Sequence, residues 1–236
     1  MKILAAHQPQ YLPWLGFFDK LDAADVFVLL DDVQFKKNEW QNRNRIKTAT
    51  GWQWITVPVR HRFPQSIVEV EIRNDEPWSR KHLRALESNY GKAPCFGTVM
   101  PLLAEVLERR WERLAPLNLE LIGRLAERLG IGTEIRLGSS LDSSPDPTLR
   151  LVDLCRQLDA DTYLSGAGGD YLDETAFADA GLALRFQRFE DPVYPQQFGT
   201  FEPCMSVVDL LMNCGSDSLE RIRSGRGAPR GFTTAC

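Results

Sequence analysis

The 236-residue chain has no paired cysteines, no excess of positive charge and no long apolar run. Its five cysteines form no Cys-x-x-Cys pair and their number is odd, which argues against a zinc knuckle and against a secreted disulfide framework. The longest apolar runs, such as residues 26–30, are far too short to cross a membrane. A net charge of -4 lacks the strongly basic face that general nucleic-acid binding needs. We therefore expect no metal cofactor, no membrane span and no nucleic-acid partner.

No targeting segment is visible at the amino terminus. Met1 and Lys2 lead directly into a strand-like stretch, without the apolar core of a signal peptide. The sequence therefore predicts a cytoplasmic protein. Hydrophobic residues make up 43% of the chain and charged residues 25%, as in ordinary globular proteins. A chain of this length buries a full core without disulfides or a structural metal.

Two all-apolar stretches near the start predict the core of a parallel sheet. Residues 2–6 and 25–30 have the pattern of buried strands, and residues 14–21 between them have that of a short helix. His7 follows the first predicted strand, and Asp31 and Asp32 follow the second. Since ligands of open α/β sheets collect beyond the carboxyl ends of the strands, these side chains are predicted to lie at one binding edge.

The next segment has the alternating pattern of a β-hairpin. In WQNRNRIKTATGWQWITVPV, alternation places the even and odd positions on opposite faces, with a turn at Thr50 and Gly51. The predicted faces are Gln41, Arg43, Arg45 and Lys47 against Trp40, Asn42, Asn44 and Ile46. SIVEVEI, at residues 66–72, also alternates and predicts a further strand.

The remainder alternates between helical and strand patterns. Residues 77–129 show apolar positions three and four apart, which predicts supporting helices. TEIRLGSSL then predicts a strand, TLRLVDLCRQLD a helix, and DTYLSGAGGDYLD a strand, a glycine-rich loop and a short helix. A helix is predicted from Ser206 or Val207 to Asn213, with fraying beyond Cys214.

These patterns predict one α/β domain over residues 1–236. We expect a parallel-sheet, Rossmann-like core at about 1–35 and 133–215. A β-hairpin excursion and a helical insertion form a lobe at about 36–132.

His7 is the leading catalytic candidate. A neutral imidazole at a strand end can act as a general base, with Asp31 or Asp32 fixing its tautomer. The alternative is that His7 only caps the turn. The two acids could instead bind a divalent metal, bond a sugar hydroxyl or cap a turn, but adjacent residues on an extended chain point in opposite directions and rarely share a metal.

The remaining candidates form a ligand wall and two anion sites. Arginine forks match phosphate oxygens, although a cationic strand face can equally be a solvated surface. SGAGGD offers small residues after a strand, but it is neither a G-x-G-x-x-G nor a P-loop motif, and it can also be a tight turn. Cys204 and Cys214 have no neighbour in sequence that would make them nucleophiles. The predicted substrate-binding residues are Gln8, Tyr11, Trp14, Gln34, Asn42, Arg43, Arg45, Lys47, Ser165, Gly166, Asp170 and Tyr171.

Several ordered motifs resemble the WbqC-like protein family of bacteria. They are HQPQYLPWLGFFDKL, DDVQFKKNEWQNRNRIKT, a Trp followed by VPV, YLSGAGGDYLD and FEPCMSVVDLLMNCG. The resemblance extends from His7 to about Gly215. The chain departs from the expected pattern at Cys95, where an aromatic residue would be usual, and at Cys204 and Cys214, which argues against a mechanism built on a family-wide cysteine.

The resemblance implies a biosynthetic transferase associated with O-antigen, capsule or specialised-metabolite gene sets. Acyl or aminoacyl transfer from a carrier-protein thioester to an amine, such as an amino sugar or a nucleotide-sugar, is the activity it implies. An acyl or peptidyl carrier protein would then be the macromolecular partner. One alternative is a nucleotidyltransferase-like enzyme with magnesium at Asp31 or Asp32, the only case in which a cofactor is expected. The other is a non-catalytic module that binds a nucleotide-sugar or a protein partner.

Overall fold

The computed structural model of the chain describes residues 1–169 and 171–232. Its strands are β1 (Ile3–His7), β2 (Val26–Leu29), β3 (Arg43–Thr48), β4 (Gly51–Thr56), β5 (Val59–Arg60), β6 (Glu71–Ile72), β7 (Glu134–Leu137), β8 (Thr162–Ser165), β9 (Ala183–Phe189) and β10 (Arg226–Phe232). Its α-helices are α1 (Leu15–Asp22), α2 (Trp78–Tyr90), α3 (Phe96–Leu107), α4 (Leu114–Leu129), α5 (Pro147–Gln157), α6 (Glu174–Asp179), α7 (Val207–Cys214) and α8 (Ser218–Ser224).

Six strands form one sheet in the order β10-β9-β8-β1-β2-β7. All neighbouring pairs are parallel except β10 and β9, which are antiparallel. The chain runs outward from β1 through β2 to β7 and then returns to the opposite side of β1 with β8. The strand order therefore reverses between β1 and β8, the place where open α/β sheets bind their ligands. This mostly parallel sheet confirms the predicted α/β fold class.

Helices pack on both faces of the sheet because its central strands are apolar on both sides. Leu4 and Ala6 of β1 share a core with residues of α5 and α6, such as Phe177. Ala5 points the other way, into a larger core with Phe18 of α1 and residues of α2, α3, α4 and α7. All four residues of β2 are buried, as expected for an inner parallel strand.

The C-terminal segment covers helix α1. Arg223 donates to Asp22 at 2.7 Å, and Arg226 donates to Asp19 and Asp22 at 2.6 Å. Strand β10 also pairs with β9 at the edge of the sheet. The prediction that the chain frays beyond Cys214 is therefore wrong, because α8 and β10 are held by these ion pairs and by the strand ladder. Residues 233–236 lie outside the described part.

The segment between β2 and β7 contains the predicted hairpin and helices. Strands β3 and β4 pair in antiparallel register, from Arg43 opposite Thr56 to Thr48 opposite Gly51, and two residues link them. The prediction of a strand over 66–72 is mostly wrong. Residues 67–69 form a 3-10 turn, because Ser66 and Glu69 bond each other in a capping box, and only the two residues of β6 belong to a strand. No helix in the described part of the chain is long and apolar enough to span a membrane.

Candidate functional site

A cleft of about 750 Å³ opens where the strand order reverses. Its size falls in the range of small-molecule sites. It is lined by the ends of β1 and β8, the residues that follow β2, helix α1, the start of α5 and the glycine loop after β8. The lining includes Gln8, Lys36, Pro145, Tyr163, Gly168 and Gly169. The carboxyl ends of parallel strands therefore meet at one site, as the sequence predicted for His7 and Asp32.

His7 ends β1 and forms part of the cleft wall. Its Nδ1 lies 3.0 Å from the carbonyl oxygen of Gln8, which can only accept, so Nδ1 carries the proton and Nε2 keeps its lone pair. Burial, and then the positive charge of Lys20, lower the pKa of His7 to about 3. The imidazole is therefore neutral throughout the physiological range, with one nitrogen ready to accept a hydrogen bond.

Lys20 is a cleft residue that the sequence analysis did not select. It belongs to α1, its side chain is only 3% exposed, and it lines the cleft. Its Nζ donates to the carbonyl oxygen of Ala6 at 2.9 Å and lies 5.9 Å from the ring centroid of Phe27. Burial lowers the pKa of Lys20 to about 7. The sequence contained an indication that Lys20 is buried. Lys20 follows Phe17 by three residues and therefore lies on the same buried side of the helix.

The glycine loop that follows β8 lies against these two residues. Ser165 is buried and Gly166 lines the cleft, as predicted. A side chain at Gly169 would begin 2.1 Å from the Ser165 hydroxyl, so only glycine fits there. A Cβ at Gly166 would lie 3.6 Å from the Lys20 Nζ. The absence of side chains at these positions gives a ligand access to the loop backbone and to the ammonium group.

The two acids after β2 have different environments. Asp31 is 2% exposed, and its two oxygens accept from the backbone and hydroxyl of Ser139 at 2.8 and 2.7 Å, so it anchors the chain after β7. Asp32 lines the cleft and accepts from Arg150 of α5 at 2.7 Å. The cleft therefore brings Asp32, but not Asp31, together with His7.

Amide side chains link the cleft to the hairpin. Gln8 lines the cleft, and its Oε1 accepts from Gln41 at 2.6 Å. Gln34 and Tyr171 also line the cleft, where Tyr171 is 70% exposed at the mouth. Asp170, which was predicted to bind substrate, lies outside the described residues.

The predicted aromatic wall lies elsewhere. Tyr11 is completely buried, and its hydroxyl bonds Nδ1 of His82 in α2 at 2.8 Å. Trp14 caps α1 and packs edge-on against Phe189 at a centroid distance of 5.6 Å. Neither side chain lines the cleft. The chain turns away after Pro9, so nearness to His7 in sequence does not bring these rings to the ligand space.

The hairpin cations form a separate surface. Arg43 lies over the Trp54 ring at 4.2 Å and Arg45 over the Trp52 ring at 4.9 Å, since cross-strand pairing places them on one face. Lys47 is buried and donates to the backbone oxygen of Thr200. None of these three cations lines the cleft.

Asn42 and Trp40 precede strand β3. Asn42 is buried and bonds the Val57 carbonyl oxygen at 2.9 Å. Trp40, which was predicted opposite the cations, instead packs against Trp54 and Arg45. The strand begins only at Arg43, so the alternation does not extend back to Trp40.

The candidate thiols remain protonated. Burial raises the pKa of Cys204 and that of Cys214. Cys204 also donates its backbone N–H to Asp191 at 2.7 Å, and this carboxylate raises the pKa of the thiol further. Neither cysteine lines the cleft.

The sheet order and the cleft define a Rossmann-like α/β protein with a candidate small-molecule site at its switch point. The sequence model of the WbqC-like protein family matches residues 8–221, and the chain belongs to this family. An uncharacterized protein of Mycobacterium tuberculosis (strain ATCC 25618 / H37Rv), Rv1507c, is 38% identical over 230 residues, which cover 94% of this chain and 98% of that protein. No solved structure matches the chain.

Proposed function

We propose that the protein transfers an acyl or aminoacyl group from a carrier-protein thioester to an amine, such as that of an amino sugar or a nucleotide-linked sugar. Surface-glycan or specialised-metabolite biosynthesis is the proposed setting. The observation that carries this proposal is that His7, Lys20 and the glycine-rich loop after β8 share one cleft at the switch point. This set can orient an amine and stabilise an anion, and it lacks a nucleophilic thiol.

The proposed step needs no covalent enzyme intermediate. The amine nitrogen attacks the thioester carbonyl carbon, the C–S bond breaks, and the proton lost by nitrogen reaches the departing sulfur. His7 Nε2 accepts the N–H of the amine and passes the proton on. Because the pKa of His7 is only about 3, the imidazole is a weak base, and its main contribution is to hold the amine with its lone pair toward the thioester.

A basic surface beside the cleft favours an acidic carrier protein as donor. Apart from the buried Lys47, residues 36–62 contain six lysines and arginines and a single acid, Glu39, in a chain whose net charge is -4. Lys36 lines the cleft itself, and Trp52 and Trp54 are exposed on the same hairpin. Tryptophan and arginine are the residue types that dominate binding energy at protein interfaces. Charge complementarity would steer an acidic partner toward the cleft.

Nucleotidyl transfer is the second candidate, because the strand order resembles that of nucleotide-binding folds. The magnesium site expected with it does not fit the residues present. Both Asp31 oxygens bond Ser139, and Asp32 is paired with Arg150. No cluster of three or more potential metal ligands occurs within the described ranges. We therefore derive no step through a metal.

A thiol-release assay tests the proposal. The protein is incubated with acyl and aminoacyl N-acetylcysteamine thioesters, their carrier-bound forms, and nucleotide-linked amino sugars, and the amide is identified by mass spectrometry. We expect thiol release only when both substrates are present, with a loss of about 100-fold in His7→Gln and full activity in Cys204→Ser. Metal-dependent release of pyrophosphate from a nucleoside triphosphate, or ligand binding that never yields a product, would overturn the proposal.

A further inference from the structure

The Lys20 ammonium group is a buried charge without a counterion in the described residues. No ion pair found in residues 1–169 and 171–232 involves it. Its one acceptor among the described residues is the carbonyl oxygen of Ala6. An ammonium group has three donors, so two remain for other acceptors. Burying a charge without compensation is unfavourable for folding, and stability therefore gives no reason for a lysine here.

The surroundings of Lys20 are suited to an anion. Gly166 leaves its side-chain space open 3.6 Å from Nζ, and Gly168 and Gly169 of the same loop also line the cleft. Lys36 lines the same cleft and adds a second cation. The one carboxylate of the described lining, Asp32, is paired with Arg150. The described lining thus has more positive than negative side chains, in a chain that is negative overall.

We infer that Lys20 is the anion receptor of the cleft and that it binds a phosphate group of the ligand. A phosphate carries enough charge and enough acceptor oxygens to engage Lys20 together with Arg150 or Lys36. The diphosphate of a nucleotide-linked sugar and the phosphodiester of a carrier-bound phosphopantetheine arm both present such anionic oxygens, and uridine diphosphate and free 4′-phosphopantetheine are probes of the two that carry a terminal dianion. The inference concerns binding alone and does not depend on the acyl-transfer step proposed above.

Binding of a phosphate group to Lys20 takes up a proton. The pKa of free Lys20 is about 7, so above neutral pH the empty cleft mostly holds the neutral amine, whereas a phosphate dianion requires the ammonium form. Affinity should therefore fall as pH rises above 7. The other charged or titratable groups of the described lining are His7 of β1, Tyr163 of β8, Asp32 with its partner Arg150 of α5, Lys36 and Tyr171. His7 and Tyr163 keep their neutral form near neutral pH, because burial lowers the pKa of the first and raises that of the second.

Isothermal titration of the full chain with uridine diphosphate and with 4′-phosphopantetheine tests the inference. Between pH 7.5 and 9.5 terminal phosphates are already dianions. We expect the affinity of at least one probe to fall about tenfold per pH unit, and buffers of different ionisation enthalpy should report about one proton taken up per ligand. Lys20→Met should weaken binding by about 10- to 100-fold and remove the pH dependence.

Two further variants keep the result interpretable. Lys2→Met is a matched control, since the Lys2 Nζ also donates to a backbone carbonyl, that of Leu158, but does not line the cleft. It should bind as the unaltered protein does. Gly166→Val should block binding, because its methyl groups would occupy the space beside Nζ.

The outcomes separate the ligand sources and the two proposals. Binding of the nucleotide alone assigns the site to a nucleotide-linked substrate, and binding of phosphopantetheine alone assigns it to the donor arm. If neither probe binds the unaltered protein, or if Lys20→Met binds equally well at every pH, the inference is wrong. Phosphate binding without amide formation would overturn the transferase proposal while leaving this one in place.

Discussion

Asp19 and Lys20 are neighbours on one turn of α1, both buried and opposite in charge, yet their hydrogen-bond and ion-pair partners differ. Asp19 is 1% exposed and accepts from Arg226 at 2.6 Å and from Gln187 at 2.7 Å. Lys20 is 3% exposed and donates to one carbonyl oxygen, with no ion-pair partner among residues 1–169 and 171–232. The first charge is compensated within the structure and helps to hold the C-terminal segment. The second is not compensated by any described residue, which is the basis for our inference that it receives an anion.

Removing the uncompensated charge should stabilise the protein. Lys20→Met keeps the length of the side chain and removes a charge whose burial lowers its pKa from 10.5 to about 7. We expect the free energy of unfolding at pH 7 to rise by about 4 kcal/mol. Urea denaturation followed by tryptophan fluorescence measures this, with Lys2→Met as the control. A destabilised Lys20→Met would mean that a protein group compensates the charge.

Removing the compensated charge should have the opposite effect. Asp19→Ala leaves Arg226 and Gln187 without their buried acceptor, so we expect a loss of about 3 kcal/mol in the free energy of unfolding. The same denaturation series measures it. Limited proteolysis should also cleave the chain after Cys214 sooner, because Arg226 ties that segment to α1. A loss below about 1 kcal/mol would show that this ion pair contributes little.

The pH dependence of stability should distinguish the two residues. Lys20 has a pKa of about 7 when folded and 10.5 when unfolded, so the unfolded state binds more protons between these values. Stability should therefore rise with pH by about 1.4 kcal/mol per unit in this window, with the full penalty present below pH 7. Denaturation at pH 7, 8 and 9 should show the gain of Lys20→Met shrinking. A constant gain would contradict the lowered pKa.

An exposed ion pair supplies the smallest expected effect. Arg110 and Glu112 lie 2.6 Å apart, with 72% and 69% of their side chains exposed. Glu112→Gln should change the free energy of unfolding by no more than about 0.5 kcal/mol, because water and salt screen the pair. A larger change in urea denaturation would show that proximity alone, rather than burial, controls the strength of charge pairing in this protein.

Much of the fold and part of the site could be predicted from local patterns. The apolar strands β1 and β2 specify a parallel inner sheet, and the residues that follow such strands must lie at one edge. This reasoning placed His7 and Asp32 at one edge of the sheet, where both line the cleft. It could not separate Asp31 from Asp32, because the Ser139 partner of Asp31 is 108 residues away in sequence.

Long-range packing decided the rest. In isolation, α1 would expose Asp19 and Lys20 to water. The return of the chain as β10 brings Arg226 onto Asp19, whereas Lys20 contacts the end of β1, Phe27 of β2 and the loop after β8. Arg150 reaches the cleft from a helix whose own sequence shows nothing beyond an amphipathic pattern. Tyr11 lies outside the cleft because its backbone N–H bonds Trp40 and its hydroxyl bonds His82.

The sequence by itself determined the strand edge at which polar groups gather, because the period of apolar residues fixes which segments are buried and where each one ends. Only the tertiary structure decided that a lysine in the first helix faces that edge without a counterion in the described part of the chain. Burial and charge compensation depend on contacts between segments about 200 residues apart, such as those of Asp19 and Arg226. No local sequence pattern indicates which distant segments will be in contact.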